Sequence, residues 1–203
     1  MSDDEKLIRG CLEGKRQAQN QLYHRYAPTM LGVCMRYSQN REEGEDLLQE
    51  GFIKVFQHIG NYKGTGSFEG WIRRIMVNTA INHYHAALKQ QFLHIENIEN
   101  LAPLMEQDTN QIFDHSVESI DIPPDLVMGL IQKMPEGYRM ILNMYVFEGY
   151  QHKEIADMLG ISENTSKSQL SKGRKYLKVQ VLEAMKKQPL MKDKHEGRRR
   201  QTV

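Results

Sequence analysis

The chain is short of the features that mark secreted, metal-stapled or membrane proteins. Its two cysteines, Cys11 and Cys34, are too few for a disulfide framework and are not spaced as a zinc knuckle. No run approaches the roughly 18 apolar residues of a membrane span. The N-terminal stretch lacks the apolar h-region of a signal peptide. Together these absences predict a soluble protein of a reducing cytoplasm. Period-two alternation of useful length is missing, so no strand is expected. HExxH, CxxC and paired Cys/His motifs are missing too. His83 and His85, two residues apart, face different sides of a helix. Gly64-Thr65-Gly66-Ser67 lacks the Gly-Lys-Ser/Thr of a phosphate loop, and Cys34 sits on an apolar helical face as a core thiol rather than a nucleophile. No metal, cofactor, small-molecule substrate or enzymatic activity is expected.

What is present is charge, unevenly spread. At 203 residues, with 39% hydrophobic and 26% charged residues, the chain can build a modest core or two small ones. The net charge of +1 hides three blocks. Residues 1–90 carry +2, residues 91–125 contain eight acids and no lysine or arginine, and residues 126–203 carry +7. A basic C-terminal third points to a polyanionic partner, and an acidic middle to a segment that avoids or mimics that polyanion.

Helical periodicity covers residues 15–88. Leu22, Tyr26, Met30, Val33 and Tyr37 step by three and four, as do Leu48, Phe52, Val55, Phe56 and Ile59. Pro28 is expected to bend or restart the first of these helices. Asn40 with Glu43 resembles a capping box, Gly60 to Gly66 read as a loop, and Ser67 caps the next helix. Periodicity is lost over residues 91–123, which read as an acidic linker ending in Pro123-Pro124, and returns from Leu126. The expectation is an all-α protein: two small helical domains, 1–90 and 124–186, joined by that linker and followed by a basic, disordered tail over 187–203.

The second domain carries helix-turn-helix spacing. A short helix from Lys153 to Leu159 meets the turn Gly160-Ile161-Ser162, and a longer helix follows to about Met185. That longer helix displays Lys167, Ser168, Gln169, Ser171, Lys172, Arg174 and Lys175, side-chain types that bond phosphates and base edges. In the first domain, Asp46, Gln49, Glu50 and Ile53 share one side of a helix whose other side is apolar, a face fit to dock a basic protein surface. The stretch Phe68 to Tyr84 mixes aromatics, arginines and asparagines, types that hold unpaired bases.

On these strings the chain resembles the sigma-70 family of bacterial RNA polymerase sigma factors, extracytoplasmic-function (ECF) subgroup. Asp46-Leu47-Leu48-Gln49-Glu50-Gly51-Phe52-Ile53-Lys54-Val55-Phe56 resembles region 2.2, Phe68 to Tyr84 resembles regions 2.3 and 2.4, and Met134-Pro135-Glu136-Gly137-Tyr138-Arg139 onward resembles region 4. The resemblance implies core-polymerase contacts to the β′ clamp helices from Asp46, Leu47, Gln49, Glu50 and Ile53. It implies −10 DNA contacts from Lys63, Arg73, Arg74, Asn78, Asn82 and His83. Contacts to −35 DNA would come from Thr165, Lys167, Ser168, Gln169, Lys172, Arg174 and Lys175, with the β flap as a further partner of region 4. A membrane-anchored anti-sigma factor is implied as a regulator. Where the family commonly has Thr-Val-Lys/Arg-Ser-Arg, this chain has Thr165-Ser166-Lys167-Ser168-Gln169, so a serine replaces a buried valine and a glutamine a base-reading arginine. A conventional activator or repressor with the same C-terminal motif is the rival reading; it would bind DNA without polymerase. A nucleic-acid-processing enzyme is the other rival, and it would need a metal or nucleophile constellation.

Overall fold

The computed structural model describes residues 2–95 and 122–187; most of the expected linker and the basic tail lie outside the described residues. The N-terminal unit comprises α1 (Asp3–Leu12), α2 (Arg16–Tyr37), α3 (Arg41–His58) and α4 (Phe68–Ile95). The C-terminal unit comprises α5 (Pro124–Gln132), α6 (Glu136–Leu142), α7 (His152–Leu159) and α8 (Glu163–Lys187). A 3₁₀ turn, Ile59–Asn61, follows α3, and a π-helical turn, Asn143–Phe147, extends α6. Helix α4 runs to Ile95, five residues past the boundary expected at 90.

Local chemistry sets the helix ends. Asn40 Oδ1 accepts from the Glu43 N–H at 2.9 Å, and Ser67 Oγ accepts from the Gly70 N–H at 3.0 Å, satisfying donors with no partner inside their helices. Pro28 does not restart the helix: α2 runs continuously from Arg16 to Tyr37 with the proline inside it. The proline is exposed, while Leu22, Tyr26, Met30 and Val33 are buried on the packed face; that burial outweighs the lost backbone bond. Helix α1, which the periodicity left unassigned, is held by a reciprocal capping box between Ser2 and Glu5.

The two units are packed on each other. One continuous set of buried side chains runs from Leu22, Met30, Ile72 and Met76 in the first to Ile131, Ile141, Met144 and Ile155 in the second. Helix α2 meets α5 and α6, and α4 meets α7. The last turn of α2 is finished by this contact. Ser38 Oγ donates to the Cys34 carbonyl at 2.6 Å, Gln132 Nε2 to that of Met35 at 3.2 Å, and Asn143 Nδ2 to that of Arg36 at 2.7 Å. Two of the three donors therefore come from the C-terminal unit, capping a helix of the other.

Candidate nucleic-acid interface

Helix α4 carries the first candidate surface. Arg74, Asn78 and Asn82, spaced by four residues, are exposed and share one face, while Ile72, Met76, Val77 and Ile81 fill the core behind them. The loop before α4 exposes Lys63 between residues whose backbone is bent sharply. Gly64 and Gly66 have φ of 72° and 84°, angles that a side chain disfavours, and Tyr62 Oη closes the loop by donating to the Gly66 carbonyl at 2.8 Å. Behind the loop, Tyr62, Phe68 and Trp71 form an aromatic cluster, with Phe68 and Trp71 stacked at 5.6 Å. Trp71 thus acts as a packing anchor.

Two of the expected −10 residues are engaged. His83 pairs with Glu50 of α3, and Arg73 is held by Glu148 of the C-terminal unit, Nε to Oε2 at 2.6 Å. Glu50 also receives Lys54 at 2.7 Å; the Lys54 hydrogen bond, and then His83, hold its carboxyl below the usual carboxylate range. On the same face of α3, Asp46, Gln49 and Ile53 are exposed, Ile53 by 57%. Leu47, expected on this docking face, points the other way and is 5% exposed. It is a core residue, because it lies one position from Asp46 and Leu48 on a helix whose inner face it shares with Leu48 and Val55.

Helix α8 is capped by the serine of the turn that precedes it. The Thr165 N–H donates to Ser162 Oγ at 3.0 Å, and Gly160, with φ of 66°, ends α7. Lys167, Ser168, Lys172 and Arg174 are exposed; Thr165, Gln169 and Lys175 are half-buried. Lys167 pairs with Glu163 at 2.7 Å, Ser168 Oγ donates to the Thr165 carbonyl at 3.0 Å, and the Arg174 guanidinium lies 5.6 Å from the Tyr145 ring centre. Ser166, where the family pattern has valine, is fully buried and bonded to His152 Nδ1 at 2.9 Å. His152 in turn stacks on Tyr145 at 4.6 Å. The polar replacement is thus satisfied by the first residue of α7, across the helix-turn-helix.

Sequence reasoning did not find the residues that join the two halves. Glu148, Asn143 and Gln132 belong to a strongly polar contact whose pairing depends on tertiary placement. Arg139 is 3% exposed because Nη1 donates to the carbonyls of Gln132 and Met134, at 2.7 and 3.2 Å, at the end of α5. Between the units lies a cleft of about 260 Å³ lined by Tyr37, Glu43, His83, Glu136 and Arg139. Burial there pushes the Glu136 carboxyl up and the Arg139 guanidinium down.

A helix-turn-helix unit linked to a helical unit with a polar, aromatic-backed helix defines a DNA-binding protein of two helical parts. A family model for Sigma-70 region 2 matches residues 22–89, and one for Sigma-70, region 4, matches residues 125–177. The RNA polymerase sigma-H factor of Pseudomonas aeruginosa is 28% identical over 180 residues, covering 84% of this chain and 90% of that one. The ECF RNA polymerase sigma-E factor of Haemophilus influenzae is 28% identical over 196 residues, covering 93% and 97%. A solved structure of the sigma factor RpoE in complex with the anti-sigma factor NepR from Bartonella quintana is 16% identical, with a TM-score of 0.47, covering 80% of this chain and 95% of that chain. The chain belongs to the sigma-70 family, in its ECF subgroup, and is an alternative sigma factor that directs promoter recognition by RNA polymerase.

Proposed function

We propose that this sigma factor divides promoter work between its units as follows. Residues 1–90 dock core polymerase through Asp46, Gln49, Glu50 and Ile53, and hold the melted −10 strand through Lys63, Arg73, Arg74, Asn78, Asn82 and His83. Residues 124–186 hold the −35 duplex, with Lys167, Gln169 and Lys172 toward the major groove and Arg174 and Lys175 on phosphates. Thr165 and Ser168 border that surface. Residues 91–123 serve as the acidic connection between the units. The protein makes and breaks no bonds itself; it works in the cytoplasm, with core polymerase, promoter DNA and an anti-sigma factor, membrane-anchored, as partners. Among the described residues no helix is long and apolar enough to cross a membrane. Membership of the family supports the partner assignments, and the exposed basic positions of α8 support the DNA assignment.

The observation that carries the strand-capture reading is the single exposed face of Arg74, Asn78 and Asn82 beside the glycine loop that presents Lys63. Arginine meets phosphate, asparagine bonds base edges, and a glycine loop lets backbone approach an extruded base. Lys63→Ala and Asn82→Ala are expected to bind core polymerase as the parent does and to slow promoter opening. Permanganate footprinting of unpaired thymines, beside a core-binding assay, checks this. Parental melting by both variants would place the capture site elsewhere.

A further inference from the structure

We propose that Glu148 latches the two units of the free protein together by holding Arg73 where a promoter phosphate would hold it. The inference rests on the assignment of Arg73 to promoter DNA made above. Glu148 ends the π-helical turn, next to Gly149 at φ of 75°. Its side chain is only 6% exposed, and both cations that face it come from the N-terminal unit. Arg73 donates from Nε to Oε2 at 2.6 Å and from Nη2 to Oε1 at 3.4 Å, while Arg36 donates from Nη2 to Oε1 at 3.0 Å. Arg36 also lies over the Phe147 ring at 4.6 Å. A carboxylate in the fork of a guanidinium offers the same paired, negatively charged oxygens as a phosphodiester. A strand phosphate and Glu148 therefore compete for the Nε–Nη2 edge of Arg73.

Opening is required by the target. Elements centred at −10 and −35 lie about 25 base pairs apart, roughly 85 Å along a duplex at 3.4 Å per step. Helix α2, which crosses the contact between the units, has 22 residues and a length of about 33 Å at 1.5 Å per residue. Units docked side by side on that helix cannot hold both elements at once. The contact is also built to be reversible. Arg36 Nε, Tyr37 Oη and Asn143 Oδ1 are buried without a hydrogen-bond partner among the described residues, and all three lie where the units meet. Unsatisfied polar atoms make a contact weaker than its buried area suggests. Gln169, the proposed −35 reader, is half-buried here: its Oε1 and Tyr84 Oη of α4 would lie 3.0 and 3.7 Å from a Cβ added at Gly137. Tyr84's neighbour His85 bonds the Met158 carbonyl of α7 at 3.0 Å. The closed form thus engages residues of both proposed DNA surfaces.

The test uses the full chain with nitroxide labels at Gln57→Cys and Glu183→Cys, both exposed positions. Native Cys11 and Cys34 are buried, and burial pushes both thiols up, so neither competes for label. Electron-electron distance measurement on the parent should give one short distribution. In Glu148→Gln, and separately in Arg36→Gln, the open-to-closed ratio should rise at least about tenfold with unchanged helix content, as expected when a charge-assisted hydrogen bond to a buried partner is lost. A single-stranded 12-mer of thymidine, read by fluorescence anisotropy, should bind Glu148→Gln more tightly by a similar factor, and adding Arg73→Gln should cancel that gain. Two folded variants with the parental distance distribution would overturn the latch and leave the DNA assignment standing. Opening without tighter 12-mer binding, and with no effect of Arg73→Gln, would overturn the competition because Arg73 does not hold DNA.

Discussion

At the residue scale, positions that look like flaws in the family pattern have partners in this chain. Ser166 is buried in the helix-turn-helix core and satisfied by His152. Ser166→Ala adds no bulk at this fully buried position but leaves a histidine nitrogen without its partner, so a loss of about 1 kcal/mol is expected in urea denaturation, with the −35 preference unchanged. Equal or greater stability would show that the hydrogen bond contributes nothing. Cys34 gives a second check. It is 1% exposed, and burial pushes its thiol up to about 12. At pH 8 the thiolate is on the order of one in ten thousand of the thiol, so reaction with a disulfide reagent should be slow in the native protein and fast in denaturant. A native rate matching the denatured one would show that Cys34 is not held in the core.

At the element scale, the helices and their caps were legible because their signals are local. Asn40, Ser67, Gly160 and Ser162 each set an end through a neighbour within five residues. Pro28 does not restart α2 because its local penalty is outweighed by packing contributed by residues far along the chain, and α1 carries no periodic signal because its apolar face is short. Gly173 lies inside α8, where glycine costs roughly 1 kcal/mol relative to alanine. Its role is visible only between elements: an added Cβ would lie 3.2 Å from Tyr138 Cβ and 3.4 Å from Met134 Cε, so α6 and α8 touch there. Tyr138 Cβ is fixed to the backbone of α6 and cannot swing away. Gly173→Ala is therefore expected to destabilise by about 1 kcal/mol despite its better helix propensity, as measured by chemical denaturation. A gain in stability would mean that the two helices yield without cost.

At the scale of the whole molecule, charge blocks and motif order disclosed the two helical units and their family, whereas the docking of one unit on the other was not readable. It depends on single polar side chains, Gln132, Asn143 and Glu148, whose partners lie about a hundred residues away. The docking face of α3 shows the same division. The amphipathic pattern gave its exposed side, but the pairing of Glu50 with Lys54 one turn along α3 and with His83 of α4 makes Glu50 a poor position for charge reversal. Asp46 and Gln49 are exposed and suit that purpose better. The central claim is promoter selection through core polymerase, and transcription by purified core on a promoter library tests it most directly. Adding the protein should create start sites that share one −10 and one −35 sequence, and Asp46→Lys with Gln49→Lys should reduce them at least about tenfold while leaving the helix content unchanged. No new start sites with the parent protein, or undiminished ones with the double variant, would contradict it.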